Sequence, residues 1–141
     1  MKLRELGEFG LIDVIHNLVD KSKNPEHSSW QKLLVGIGDD AAAWQGNSGI
    51  QLVTTDTLVQ DVHFDLGTIT WEELGWKALA VNLSDIAAMG GIPQYALVSL
   101  SLPTELEVED ISKFVSNMAR LAEKFGVAIV GGNLTTAPIV V

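Results

Sequence analysis

Four short segments of this chain set carboxylates, hydroxyls or glycines where a strand or helix gives way to a loop. The first, Gly36-Ile37-Gly38-Asp39-Asp40, ends a strand-like run. Its glycines permit close backbone approach, and its paired aspartates are hard oxygen donors of the sort magnesium takes. The same residues also suit a tight turn in which an aspartate caps free amides. The second, Thr54-Thr55-Asp56-Thr57, offers one carboxylate beside hydroxyl and carbonyl oxygens. It reads equally as part of a magnesium shell or as ordinary threonines in a strand.

The third, Asn82-Leu83-Ser84-Asp85, comes late in an apolar helix. Asp85 shares a stripe with Ala78 and Val81, where a lone charge costs several kcal/mol unless paired. It is either a ligand aimed into a cation site or a carboxylate satisfied by buried backbone or an arginine. The fourth, Val130-Gly131-Gly132-Asn133-Leu134-Thr135-Thr136, follows a buried strand. A glycine pair there lets backbone amides approach phosphate oxygens, yet it lacks the spacing of a P-loop or a dinucleotide-binding turn. His63, close behind the second segment, could donate a hydrogen bond to a phosphate. His16 and His27 read as surface or boundary residues, and Trp71 and Trp76 as core or interface.

The charge distribution suits cations rather than polyanions. Net charge is −9. Five of the nine basic residues lie at or before Lys32, and from Leu33 to Ser112 the single one, Lys77, faces twelve acids. Such a stretch repels nucleic-acid backbones and anionic membranes, although ordinary acidic solubility would look the same. With no cysteine, disulfide scaffolds, zinc-thiolate sites and thiol nucleophiles are excluded. No apolar run approaches the eighteen or so residues of a membrane span, and no signal-peptide core opens the chain. The expectation is a soluble, cytoplasmic, globular protein.

Several elements must position these groups. Apolar spacing predicts a helix over Gly7–Asp20 with Phe9, Ile12 and Val19 on its buried side, then a loop over Lys21–Ser29. Strands are expected at Leu33–Ile37, Ala41–Trp44 and Ile50–Thr55, the last being the best of the first half. Thr70-Trp71-Glu72-Glu73 matches a capping box that opens a helix running to about Met89. A strand at Tyr95–Leu102 and a helix from Val108 to Phe125, ended by Gly126, come next. Val127–Val130 reads as a buried strand broken by Gly131-Gly132, with a further strand over Leu134–Val141. This order indicates one α+β domain whose helices pack on one face of a mixed or mainly antiparallel sheet. The apolar finish at Ala137-Pro138-Ile139-Val140-Val141 suggests a piece of something longer.

Taken in order, these segments resemble the amino-terminal half of the thiamine-monophosphate kinase family, within the superfamily of aminoimidazole ribonucleotide synthetase. The matching text is Gly7-Glu8-Phe9-Gly10-Leu11-Ile12, Gly36-Ile37-Gly38-Asp39-Asp40-Ala41-Ala42, Thr55-Asp56-Thr57-Leu58-Val59 with His63-Phe64, and Gly131-Gly132 followed by Thr135-Thr136. Its most specific piece runs from Lys77 through Asn82-Leu83-Ser84-Asp85 to Gly90.

The resemblance implies transfer of the γ-phosphoryl group of ATP to thiamine monophosphate, giving thiamine diphosphate, with Mg2+ ions neutralising the phosphates. It places Asp40, Thr54, Thr55, Asp56, Asp85 and Asn133 around Mg2+, His63 on thiamine monophosphate, and Gly132 with Asn133 on the nucleotide. No catalytic residue beyond this positioning is implied; Asp39 supporting the ligands is our own inference. The family pattern has aspartate where this chain has Asn133, which weakens one magnesium site. The resemblance further implies that residues 1–141 form an ATP- and magnesium-binding, dimerising amino-terminal domain, that the carboxy-terminal domain is absent, and that the chain alone is inactive or nearly so. A homodimer through the sheet of this domain is implied as well. The alternatives are a sibling ATP-dependent synthetase, which should differ around Asp61–Phe64, and a non-catalytic nucleotide-binding or dimerising relative, which Asn133 favours.

Overall fold

The computed structural model describes all 141 residues as eight elements. Helix α1 (Leu3–Ser22) is broken at Gly7, whose φ of 73° leaves the helical region. Past the break, Leu11 and Val19 are buried while Phe9 is 82% exposed, so the expected apolar face is narrower than its spacing suggested. The loop expected up to Ser29 ends early: α2 (Ser28–Lys32) is a single helical turn, pinned by the buried Ser29 hydroxyl donating to the Gly126 carbonyl at 2.7 Å. Strands β1 (Leu33–Val35) and β2 (Ala43–Trp44) pair antiparallel, and the Asp39-Asp40 turn lies between them. Trp44 stacks on Tyr95 with ring centroids 4.5 Å apart, fastening this hairpin to the next strand.

Residues 50–57 form no strand, contrary to the sequence reading. Ile50 and Val53 are 94% and 92% exposed. β-branched residues favour a strand only where a neighbouring strand supplies the ladder, and none runs beside them. The capping box is present as expected: Thr70 Oγ1 accepts from the Glu73 amide at 3.2 Å, and the Thr70 amide donates to the Glu73 carboxylate at 2.8 Å. The Thr70 amide, and the Thr70 hydroxyl donating to the same carboxylate at 2.9 Å, favour ionised Glu73 and hold its carboxyl below the usual range. Helix α3 (Trp71–Ala88) then runs to the predicted end, with Gly90 at φ 71° just beyond.

Strand β3 (Tyr95–Ser101), helix α4 (Val108–Lys124) and strand β4 (Ala128–Thr135) make a β-α-β unit whose strands are parallel. The intervening helix is the crossover that parallel pairing requires. The expected break at Gly131-Gly132 does not occur. Strand β4 continues to Thr135, with a bulge where Ala96 pairs Ile129 and Leu97 pairs Gly131. A Cβ on Gly132 would lie 1.8 Å from the Val98 carbonyl oxygen, so glycine is needed for the strands to close. The α+β class and the mixed strand directions agree with the sequence reading. Helix α4 supplies much of the core through Ile111, Phe114, Val115, Met118 and Leu121, packed against α3 and α1.

The chain start is fastened to the loop before α4. Glu107 accepts from Lys2 Nζ at 2.7 Å and from the Met1 ammonium at 2.9 Å. Bonds from these two cations favour the charged carboxylate and push its pKa from 4.5 down to about 2. A lowered folded-state pKa means that this contribution to stability is full above pH 4.5 and is lost as pH falls toward 2. Glu107→Gln should therefore lower stability at neutral pH and flatten the acid-unfolding curve across that window, measured by urea titration at stepped pH. An unchanged acid limb would remove Glu107 from the account.

Candidate functional site

The carboxyl end of α3 and the extended segment before Leu58 meet to form the site. Thr54 Oγ1 donates to Asp85 Oδ2 at 2.9 Å, and the Asp56 amide donates to Asn82 Oδ1 at 3.0 Å. Asn82 in turn donates through Nδ2 to the Ala78 carbonyl at 3.0 Å, which fixes its amide orientation toward Asp56. Helical spacing puts Asn82 and Asp85 on one face, three residues apart. Two bonds thus dock a segment without secondary structure onto a capped helix, and bring the Asp56 and Asp85 segments together.

Asp85 is exposed, which corrects the expectation that it sits on the buried stripe. The stripe turns outward near the helix end: Ala78 is buried and Val81 half-buried, while Ser84 and Asp85 face solvent. The desolvation penalty is therefore absent, and the partner of Asp85 is a threonine hydroxyl rather than an arginine. Asn82, which the sequence reading left without a role, is the hinge of this arrangement.

The remaining residues are distributed around that centre. Asp39 and Asp40 occupy an exposed turn, with the Asp40 amide donating to Asp39 Oδ1 at 2.8 Å. This is the aspartate-capped turn that the same residues also suit. Thr55 is exposed beside Asp56, and Asn133 is exposed on β4, opposite Ser99 in the ladder. No hydrogen bond joins Asp40 or Asn133 to the Asp56–Asp85 pair.

No lysine or arginine pairs with Asp39, Asp40, Asp56 or Asp85. An all-oxygen, unneutralised donor set of this kind fits a hard divalent cation. However, no three acidic or imidazole groups converge closely enough to hold an ion by themselves. Water or the oxygens of a bound ligand would have to complete a shell, as hard cations commonly arrange.

His63 sits in an exposed turn. Its Nδ1 accepts from the Val59 amide at 3.0 Å. An N–H donor can be accepted only by an unprotonated nitrogen, so the neutral ring carries its proton on Nε2, as a donor.

The α+β fold, the Thr54–Asp56 segment docked on the end of α3 and the glycine-bearing parallel strand mark out one class of protein. The chain belongs to the family described as AIR synthase related protein, N-terminal domain, which matches residues 38–141. Within it the chain is similar to thiamine-monophosphate kinases. That of Aquifex aeolicus is 42% identical over 135 residues, covering 96% of this chain and 40% of that protein. The crystal structure of the Stenotrophomonas maltophilia K279a enzyme matches with TM-score 0.74 and 41% identity, over 99% of this chain and 40% of that one. The structure of AaThiL complexed with AMPPCP and TMP matches with TM-score 0.63 and 40% identity, over 99% and 41% respectively. The chain spans about two fifths of the length of these relatives.

Proposed function

We propose that this chain is the amino-terminal, ATP- and magnesium-binding part of a thiamine-monophosphate kinase. The observation that carries the reading is the docking of the Thr54–Asp56 segment on Asn82 and Asp85, in a chain about two fifths identical to such kinases over nearly its whole length. The AaThiL relative complexed with AMPPCP, an ATP analogue, and TMP supports binding of both substrates.

In the proposed reaction a phosphate oxygen of thiamine monophosphate forms a bond to the γ-phosphorus of ATP. The bond from that phosphorus to the β,γ-bridging oxygen breaks, and ADP leaves with the electron pair. Asp40, Thr54, Thr55, Asp56, Asp85 and Asn133 would hold magnesium, which when bound neutralises charge across the phosphates. The exposed Nε2–H of His63 would donate to the phosphate of thiamine monophosphate, and Gly132 with Asn133 would face the nucleotide. Direct transfer of this kind rests on positioning and electrostatics, so no nucleophilic side chain is needed.

Two finer points belong to the same reading. Turnover needs the rest of the kinase length, and the 141 residues alone should show little or none. A second copy pairs with this domain through its sheet. The accessible surface of 8273 Å² exceeds the roughly 7,100 Å² of an ordinary monomer of this mass. Leu34, Ile92 and Leu97 are each more than 60% exposed, apolar surface of the kind a partner covers.

The deciding experiment is formation of thiamine diphosphate from thiamine monophosphate, ATP and magnesium by the complete gene product, read as fluorescent thiochrome. Clear product supports the kinase, whereas none from a folded dimer would point to a sibling synthetase or a binding-only protein. Asn133 provides a finer check. Asparagine offers an oxygen without charge, so Asn133→Asp should lower the magnesium concentration needed for half-maximal activity several-fold. An unmoved magnesium curve would take Asn133 out of the cation site.

A further inference from the structure

We infer that Lys77 is a positioning residue that holds His63 ready to meet a phosphate, an inference that rests on the proposed thiamine-monophosphate contact of His63. Lys77 projects from the second turn of α3, half-buried, and its ammonium donates to the His63 carbonyl oxygen. It is the only basic residue between Leu33 and Ser112, and it makes no ion pair. In a stretch with twelve acids, a lysine that binds a backbone carbonyl in preference to a carboxylate is being used for geometry.

That carbonyl belongs to a turn with little freedom. The His63 amide donates to the Val59 carbonyl at 2.8 Å, and the Asp61 amide donates to the Phe64 carbonyl at 2.7 Å. Asp61 takes φ 64°, a region uncommon outside glycine, and the buried Phe64 side chain anchors the far end. Within this frame the Val59 amide donates to His63 Nδ1, which fixes both the ring plane and the Nε2–H tautomer. The turn is joined to α3 by Lys77, and α3 also carries Asn82 and Asp85. One helix thereby sets the spacing between the histidine donor and the carboxylates, which in-line transfer between two phosphates demands. The Lys77 ammonium keeps two further N–H donors and its positive charge at the His63 backbone, which favours a phosphate near this turn.

The test uses the complete gene product, labelled with 15N at valine and histidine, as wild type, Lys77→Met and Lys77→Arg. In Lys77→Met the Val59 amide should exchange about fivefold to tenfold faster, as expected for losing one modest hydrogen bond. The His63 ring response to added thiamine monophosphate should fall, and KM for thiamine monophosphate should rise about tenfold while KM for ATP holds. Lys77→Arg, which keeps a donor and the charge, should restore most of each. Val59 exchange and His63 response both unchanged in Lys77→Met would overturn the positioning role alone. A wild-type His63 ring that ignores thiamine monophosphate, with Val59 still dependent on Lys77, would instead remove the substrate contact and leave Lys77 a structural tether.

Discussion

Gly75→Ala is expected to destabilise the chain by about 3 kcal/mol, at the upper end of overpacking costs. Gly75 lies in the second turn of α3, where α4 crosses it. A Cβ built there would lie 2.0 Å from the Phe114 carbonyl oxygen, 2.8 Å from its carbonyl carbon and 3.1 Å from its Cα. All three are backbone atoms of a helix, so no side chain can swing aside. The helices would have to separate next to Leu74 and Phe114, which are 0% and 2% exposed. Intrinsic preference runs the other way, since alanine in a helix interior is favoured over glycine by about 1 kcal/mol. The sign of the change therefore discriminates. A lower urea midpoint at unchanged slope supports the close crossing, and a raised midpoint would refute it. Gly46 has no atom within 4 Å of its hypothetical Cβ, so Gly46→Ala should change stability by no more than about 0.5 kcal/mol.

Gly75 also shows where the sequence stops being legible. Its neighbours Leu74, Ala78 and Leu79 announce a helix, and the Thr70–Glu73 box marks where that helix begins. That a second helix crosses at that glycine is a fact about segments 39 residues apart, and no local pattern carries it. The same division holds across the fold. Capping, the apolar stripe of α4 and the Gly126 stop are local and came through. By contrast, Ile50–Thr55 has strand composition but no strand beside it, and Gly131-Gly132 looks like a break but is the price of close parallel pairing. For the site, Asp56 and Asp85 stand out in the sequence by residue type and place, and the family resemblance adds the magnesium role. The outward turn of Asp85, the brace supplied by Asn82 and the tether from Lys77 depend on tertiary placement and emerged only with the structure.

If the proposed reaction holds, Asp85→Asn is expected to cost about 100-fold or more in kcat/KM of the complete gene product while leaving the fold intact. Asparagine retains a side-chain oxygen that can accept from Thr54 Oγ1, so the docking bond seen at 2.9 Å survives. What disappears is one negative charge in a site where Asp56 and Asp85 have no basic partner. Without magnesium, removing a charge from this acid-rich stretch should leave stability unchanged or slightly higher, because net negative charge is reduced. With magnesium the comparison should reverse. A cation that binds only the folded state raises stability by mass action, so added magnesium should lift the wild-type urea midpoint more than that of Asp85→Asn. Asp56→Asn should behave in the same way, whereas Thr54→Ala should release the segment and weaken both. This pairing of measurements separates charge from scaffolding. Loss of activity together with loss of the magnesium response assigns Asp85 to the cation. Activity and magnesium response both retained in Asp85→Asn would make the side chain a brace for Thr54 and move the cation site elsewhere along the acid-rich stretch.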